Sequence, residues 1–328
     1  MTSARPAIAC LGAGRMGRGI AVAFAYAGHA VTMIDIKPRS ADGFATLKAD
    51  ALGEIGKTLA SLTRFGLLDG NDAESIIVRV SVVPAQDMAA ALADAGIVFE
   101  GVPEVVELKR EVLAAASKCV APDVIVASTT STILVDDLSS AVDHRERFLN
   151  VHWLNPAYLI PLVELSPGSG TDPAVTARVK ALLEGIGKVP VVCAATPGFI
   201  VPRIQALAMN EAARMVEEGV ASPEDIDKAI RYGFGFRYAV MGLLEFIDWG
   251  GGDILYYASR YLEGALGSDR YRAPDVISRN MASGRIGMRS GAGFLDYAGL
   301  DVDAYREQRL ATMVDLLRYF GLAKPPVL

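Results

Sequence analysis

The sequence predicts an α/β domain over residues 1–195 followed by a mostly α-helical domain over 196–328, and three observations carry that expectation. From Ala7 to about Val192, short β-branched runs alternate with alanine-rich stretches apolar at helical spacing. The first of these runs passes straight into a glycine-rich turn and then into a helical pattern. After Thr196-Pro197-Gly198 the strand-like runs give way to helical periodicity. Continuous apolar strands separated by helices imply a parallel sheet covered on both faces.

Taken in order, the runs that read as strands are 7–11, 30–35, 76–83, 96–100, 124–128, 148–152, 163–165 and 189–193. Between them lie helical stretches such as 106–121. In the second domain, 203–218 reads as one helix with Ile204, Leu207, Ala208 and Ala212 on its apolar face. Ser222-Pro223-Glu224-Asp225 is a helix start: a serine cap, proline in the first turn and acids at the positive dipole end. Trp249 to Asp253 reads as a loop between apolar helices, 293–297 as the one further strand, and 305–328 as a final helix.

At roughly 150 residues per domain, 328 residues allow two domains. A hydrophobic share of 52% with 21% charged residues excludes a disordered or fibrous chain. A net charge of −6 argues against a general nucleic-acid binder. Cys10, Cys119 and Cys193 lie far apart, so neither a disulfide framework nor a metal site is expected. The longest apolar stretch, 19–34, is too short to span a bilayer, and the opening MTSARPAIAC lacks the apolar run of a secretory leader. The expectation is a soluble, cytoplasmic protein.

The turn after the first strand is Gly12-Ala13-Gly14-Arg15-Met16-Gly17. Gly12 permits the tight turn, Gly14 lets the backbone approach a pyrophosphate, and Gly17 lets the helix pack close to the strand. The helix N-terminus, with Met16 in its first turn, supplies amide donors to phosphates. The second strand ends in Asp35, 18 residues after Gly17, where a carboxylate accepts from a ribose 2′-hydroxyl. These features predict a Rossmann-like dinucleotide-binding domain. Asp35 repels a 2′-phosphate and so favours NAD, although Lys37 and Arg39 follow it.

The chain has three histidines. His29 and His144 read as structural or exposed. His152 ends a strand-like run and is followed by the turn Leu154-Asn155-Pro156, at the sheet edge where open α/β folds bind ligands. Glu164 ends the next apolar run, and a carboxylate that orients an imidazole makes histidine a general base near neutral pH. Ser128 to Ser131 bring hydroxyls to the same edge.

The blocks GAGRMGRGI, FEGVPEVVELK, ASTTSTI, HWLNPAYLIPLVE, TPGFIVPR and GMRSGAGFLDY occur in an order that resembles the L-3-hydroxyacyl-CoA dehydrogenase family, over about residues 7–297. The resemblance implies an NAD domain, a helical domain that carries substrate contacts and a homodimer interface, and oxidation of a 3-hydroxy group to a 3-keto group. By position, His152 matches the family's general base, Glu164 its paired carboxylate, and Ser131 the serine on the reacting oxygen. Glu104 matches the glutamate near the nicotinamide, and Lys109, on what reads as a charged helical face, a lysine beside nucleotide or substrate. Asn155 joins Ser131 as an expected substrate contact.

The chain also departs from that pattern. Pro202 stands where the family usually has an asparagine of the site, and the stretch ALGEIGKTLASL offers only Lys57 where acyl-CoA members carry a basic helix. The segment Gly233-Phe234-Gly235-Phe236-Arg237-Tyr238-Ala239 is similar to the carnitine and gulonate dehydrogenases, the latter including lambda-crystallin. There Arg237 either clamps a free carboxylate or serves as a salt-bridged interface residue. The leading expectation is therefore a 3-hydroxybutyryl-CoA-type dehydrogenase, with a free 3-hydroxy-acid dehydrogenase as the nearer alternative and a non-catalytic NAD-binding structural protein as the distant one. The expected partner is a small-molecule substrate, with no nucleic acid, membrane or metal.

Overall fold

Buried β-branched runs flanked by alanine-rich helices fold into one sheet with apolar layers on both faces. The structure, a computed structural model, describes residues 5–69 and 71–327. The chain separates into two compact units, one ending at Met209 and the other beginning at Asn210.

The first unit contains β1 (Ala7–Leu11), β2 (Val31–Asp35), β3 (Val80–Pro84), β4 (Ala95–Glu100), β5 (Ile125–Ser128), β6 (Phe148–Trp153), β7 (Leu162–Pro167) and β8 (Val189–Val192). Its helices are α1 (Arg15–Tyr26), α2 (Ala41–Arg64), α3 (Asp72–Ile77), α4 (Met88–Leu92), α5 (Val106–Ser117), α6 (Val135–Ser139) and α7 (Pro173–Gly185), and α8 (Val201–Glu217) runs across the unit boundary. The strand order is β3-β2-β1-β4-β5-β6-β7-β8. The winding reverses between β1 and β4, which opens a crevice beyond their carboxyl ends. On one face Ile20 and Phe24 of α1, Ile55 and Leu59 of α2 and Val179 of α7 pack on the sheet. On the other, Leu92, Val112, Leu113 and Leu138 do the same.

In this unit two strand expectations are corrected. The sheet is mixed, because β7 runs antiparallel to β6 while β8 runs parallel to β7. Only residues 154–161 join β6 to β7. That is shorter than the dozen or more residues a parallel crossover needs, so the strand returns alongside. The run 76–83 is not one strand: Ile76 and Ile77 end α3, and β3 starts at Val80. Asp72 and Glu74 in the first turn of α3 favour the helix over continued strand.

The second unit is helical, with α9 (Pro223–Ala229), α10 (Phe236–Tyr238), α11 (Leu243–Gly250), α12 (Gly252–Leu266), α13 (Asp275–Ala282) and α14 (Val302–Tyr319). Ser222 caps α9 by accepting from the Asp225 amide at 3.2 Å. The expected loop at 249–253 is a single residue, Gly251, whose φ of 112° breaks α11 from α12. The expected strand at 293–297 is replaced by isolated bridges, Gly287 to Ala292 and Ala292 to Asp296. Its amides are taken instead by buried Asp248, which accepts from Phe294 N at 2.9 Å and Leu295 N at 2.8 Å. The last helix ends at Tyr319, and Gly321 with φ 67° follows, so the helix does not reach the terminal KPPVL. Among the described residues, no helix is long and apolar enough to cross a membrane.

Candidate active site

At the crevice, the turn after β1 adopts the conformation its glycines allow. Gly12 has φ 108° and donates to Ile34 O at 2.8 Å, and a Cβ on Gly17 would collide with the Gly12 carbonyl. The backbone of α1 can therefore seat against β1 only without a side chain at Gly17. Gly14 is the N-cap of α1, has no side chain to cap its amides, and has open space around its Cα. Half-buried Met16 packs on the core beside it. Gly12, Gly14, Asp35, Lys37, Arg39 and Val102 line a cleft of about 340 Å³. Asp35 is buried at the end of β2, with Arg39 Nε on its Oδ2 at 2.5 Å and Lys37 N facing Oδ1 at 3.4 Å. An uncapped helix start, a glycine cradle and a carboxylate on one edge fit the pyrophosphate and ribose of NAD.

Farther along the same edge lies the imidazole–carboxylate pair. The antiparallel register of β6 and β7 sets His152 directly opposite Glu164. His152 Nδ1 lies 2.8 Å from Glu164 Oε2, and both side chains are buried. The other oxygen, Oε1, accepts from Ile200 N at 2.9 Å and Val201 N at 2.8 Å at the start of α8. Burial pushes the Glu164 carboxyl up, but the hydrogen bonds from His152, Val201 and Ile200 outweigh it and hold it below the ordinary carboxylate range. An ionised Glu164 only accepts, so Nδ1 carries the hydrogen and Nε2 is the basic nitrogen.

Phe199 completes the support. Its ring lies over the His152 ring, centroids 5.4 Å apart and 31° between planes. Its φ is 45°, a left-handed conformation uncommon for a bulky residue, and it precedes the two amides that hold Glu164. Pro202 stands in the first turn of α8, as its missing amide hydrogen favours.

Beyond β5, Glu104 gathers the Thr130–Thr132 turn. Its Oε1 accepts from the Thr130 hydroxyl, from Ser131 N at 3.0 Å, and from Thr132 N and Oγ1 at 3.2 and 3.1 Å. Burial raises the Glu104 carboxyl, while Thr130, Lys109, Ser131 and Thr132 together hold it low. Ser131 itself is exposed at the tip of this turn.

Lys109 is corrected from a charged helical face: it is 1% exposed. Its Nζ donates to both oxygens of Glu100, at 2.9 and 3.1 Å, and faces Glu104 Oε2 at 3.4 Å. The five-residue return from Glu104 to Lys109 includes the first turn of α5, which swings the stem inward.

Asn155 is exposed three residues after His152 and, with Arg15, Arg18, Gly19 and Tyr158, lines a second cavity of about 310 Å³. In the second unit Arg237 is exposed, its Nε donating to Gly233 O at 2.8 Å and its guanidinium 4.7 Å from the Phe246 ring centre. Among the described residues it has no salt-bridge partner, so the salt-bridged reading of Arg237 is not seen within this chain. His29 is structural, with Nδ1 2.9 Å from Pro6 O and an edge contact to Phe24. His144 is exposed beside Glu146.

Sequence reasoning missed Glu100 and Phe199. Glu100 was legible only as the last residue of an apolar strand, where an acid is anomalous, and Phe199 only through its neighbours Pro197-Gly198.

The family model for the 3-hydroxyacyl-CoA dehydrogenase NAD binding domain matches residues 7–196, and that for the C-terminal domain matches 198–297. A 5-formyl-3-hydroxy-2-methylpyridine 4-carboxylate 5-dehydrogenase of Mesorhizobium japonicum is 31% identical, over 95% of this chain and 97% of the relative. Lambda-crystallin of Oryctolagus cuniculus is 37% identical over 77% of each chain. The crystal structure of a 3-hydroxyacyl-CoA dehydrogenase from Archaeoglobus fulgidus aligns with a TM-score of 0.75 at 31% identity, covering 97% of this chain and all of that one.

Proposed function

Since the chain belongs to the 3-hydroxyacyl-CoA dehydrogenase family and is an NAD-dependent oxidoreductase, we propose that it oxidises a 3-hydroxy group to a 3-keto group with His152 as general base. The observation that carries this is the 2.8 Å contact between His152 Nδ1 and a doubly anchored Glu164, on the edge that carries the dinucleotide cradle.

When bound, NAD supplies the hydride acceptor. Gly12, Gly14, Met16 and Gly17 would hold its pyrophosphate and Asp35 its adenosine ribose, and Glu104, with Lys109 behind it, would stand toward the nicotinamide. His152 Nε2 takes the hydroxyl proton, and Glu164 stabilises the imidazolium that forms. The Ser131 hydroxyl donates to the reacting oxygen, where negative charge develops as the proton leaves. Asn155 orients the substrate at the mouth of the neighbouring cavity. His152→Gln should lower turnover by roughly 10²–10⁴-fold while NADH still binds in a fluorescence titration. Undiminished turnover removes His152 from the role.

For the substrate, Arg237 favours a free 3-hydroxy acid: an exposed guanidinium without a carboxylate partner among the described residues matches a bidentate carboxylate. The Mesorhizobium relative, similar over nearly its whole length, is named for a pyridine carboxylate. The thioester reading, a 3-hydroxybutyryl-CoA type of substrate, is favoured by the family and by the Archaeoglobus structure. An assay of NADH oxidation by acetoacetyl-CoA against NAD reduction by a panel of free 3-hydroxy acids separates them. Arg237→Ala should raise the KM of a free acid by roughly tenfold or more, the loss of a charge-assisted pair, and leave a thioester nearly unaffected. We assign residues 1–195 to the cofactor and 196–328 to substrate contacts and a homodimer interface.

A further inference from the structure

The buried polar groups beneath the site form a row. In the sheet register Glu100 stands opposite Ser128, Ser128 opposite Asn150, and Asn150 opposite Ser166. All four are 0–1% exposed, in a sheet whose other buried positions are apolar apart from Asp35, His152 and Glu164. Along β6 and β7, His152 and Glu164 lie two residues from Asn150 and Ser166 and therefore on the same face. The row is the layer directly below the reacting groups.

Three of its members, Glu100, Ser128 and Asn150, fasten the turn that presents Ser131, while the Ser166 hydroxyl has no hydrogen-bond partner among the described residues. Ser128 Oγ accepts from Thr130 N at 3.3 Å, and Asn150 Nδ2 donates to Ile133 O at 2.9 Å, so both ends of the turn are held from below. Glu100 accepts from Ser128 Oγ at 2.5 Å, Val102 N at 2.7 Å and Lys109 Nζ, which leaves neither oxygen free. Lys109 in turn faces Glu104, and Glu104 grips Thr130, Ser131 and Thr132. Charges alternate along this chain: carboxylate, ammonium, carboxylate, then the hydroxyl turn.

A buried ion pair is a poor device for stability alone, since apolar residues of the same volume do as well or better. What it supplies here is direction. Without the Glu100 charge, Lys109 Nζ loses the carboxylate that fixes it 3.4 Å from Glu104, and the cation that keeps Glu104 under the turn shifts from its place.

We propose that Glu100 is a positioning residue, which through Lys109 holds Glu104 under the Thr130–Thr132 turn and so fixes where Ser131 presents its hydroxyl. This rests on the reading that Ser131 contacts the reacting oxygen. Glu100→Gln keeps the shape and removes the charge. It should lower kcat on the order of tenfold to a hundredfold, the usual cost of a misplaced catalytic group, while NADH still binds.

Stability is separated from positioning by two further variants. Lys109→Met strands a buried carboxylate and should lower both Tm and kcat. The double variant Glu100→Gln with Lys109→Met removes both charges and should recover Tm but not kcat, because Glu104 still lacks its cation. A Glu100→Gln enzyme with the parent kcat overturns the proposal, as does a double variant whose kcat returns with its Tm. His152→Gln is assayed alongside. If it remains fully active, the underlying catalytic reading fails; if it is inactive while Glu100→Gln matches the parent, only the positioning role fails.

Discussion

At the residue scale, the geometry around Glu164 dictates both a tautomer and a pH dependence. Glu164→Gln keeps a carbonyl for the Ile200 and Val201 amides, but its amide group then donates toward His152 Nδ1. That forces the hydrogen onto Nε2, where the base is needed, so turnover should fall by ~10²–10⁴-fold even though the fold is kept. The stability effect has a definite sign. The Glu164 carboxyl is held low despite burial, by His152, Val201 and Ile200, so the folded state binds its proton less readily than the unfolded chain. Its stabilising contribution is present above the ordinary glutamate range and is lost as pH falls through the lower folded value. The Tm difference between parent and Glu164→Gln should be largest near neutral pH and close on acidification. A gap that widens toward acid contradicts the depressed carboxyl.

At the scale of elements, two glycines of one turn divide between packing and binding. A Cβ on Gly17 runs into the Gly12 carbonyl and comes within 3.8 Å of Cys10 Cβ, so Gly17→Ala must push α1 off β1. Overpacking of that kind costs about 1–3 kcal/mol, and Tm and NADH affinity should fall together. A methyl group on Gly14 would meet nothing within 4 Å, so Gly14→Ala should keep Tm and lose NADH affinity alone. A Gly14→Ala protein that binds NADH normally denies the close approach of a pyrophosphate there. The strand–turn–helix at this corner was legible because each glycine answers to a local backbone need. The pairing of His152 with Glu164 was legible as residue types, but its geometry comes from the antiparallel return of β7, which periodicity does not distinguish from a parallel strand. Lys109 was misplaced for a related reason: neighbouring charges Glu107 and Arg110 mark a solvated face, while the partner that draws Lys109 inward, Glu100, sits on another element. Beyond the neighbouring Pro197-Gly198 nothing in the sequence marks Phe199, whose φ of 45° and place just before the two amides on Glu164 belong to the fold.

For the whole molecule, the exposed apolar surface of the second unit sets the expected assembly. Ile254, Tyr257, Tyr261 and Leu266 of α12 are exposed, Tyr261 at 74%, and among the residues of that helix only Ser259 is buried. The spacings of three and four residues keep Ile254, Tyr257 and Tyr261 along one side of the helix, while Leu266, five residues on, turns away from it. A contiguous apolar stripe facing water is costly for a monomer, and the simplest closed assembly covers it with the same stripe of a second copy about a twofold axis. The parent protein should therefore sediment at about twice its chain mass of 34.7 kDa. Tyr261→Glu sets two like charges in an apolar interface without partners, and it should yield a monomer whose Tm is lower than that of the parent. Dilution makes the same point without mutation, because the Tm of a dimer-stabilised fold falls as protein concentration falls, whereas that of Tyr261→Glu stays constant. A parent that sediments as a single chain, or a Tyr261→Glu protein that remains dimeric, shows that this stripe is not what joins two copies.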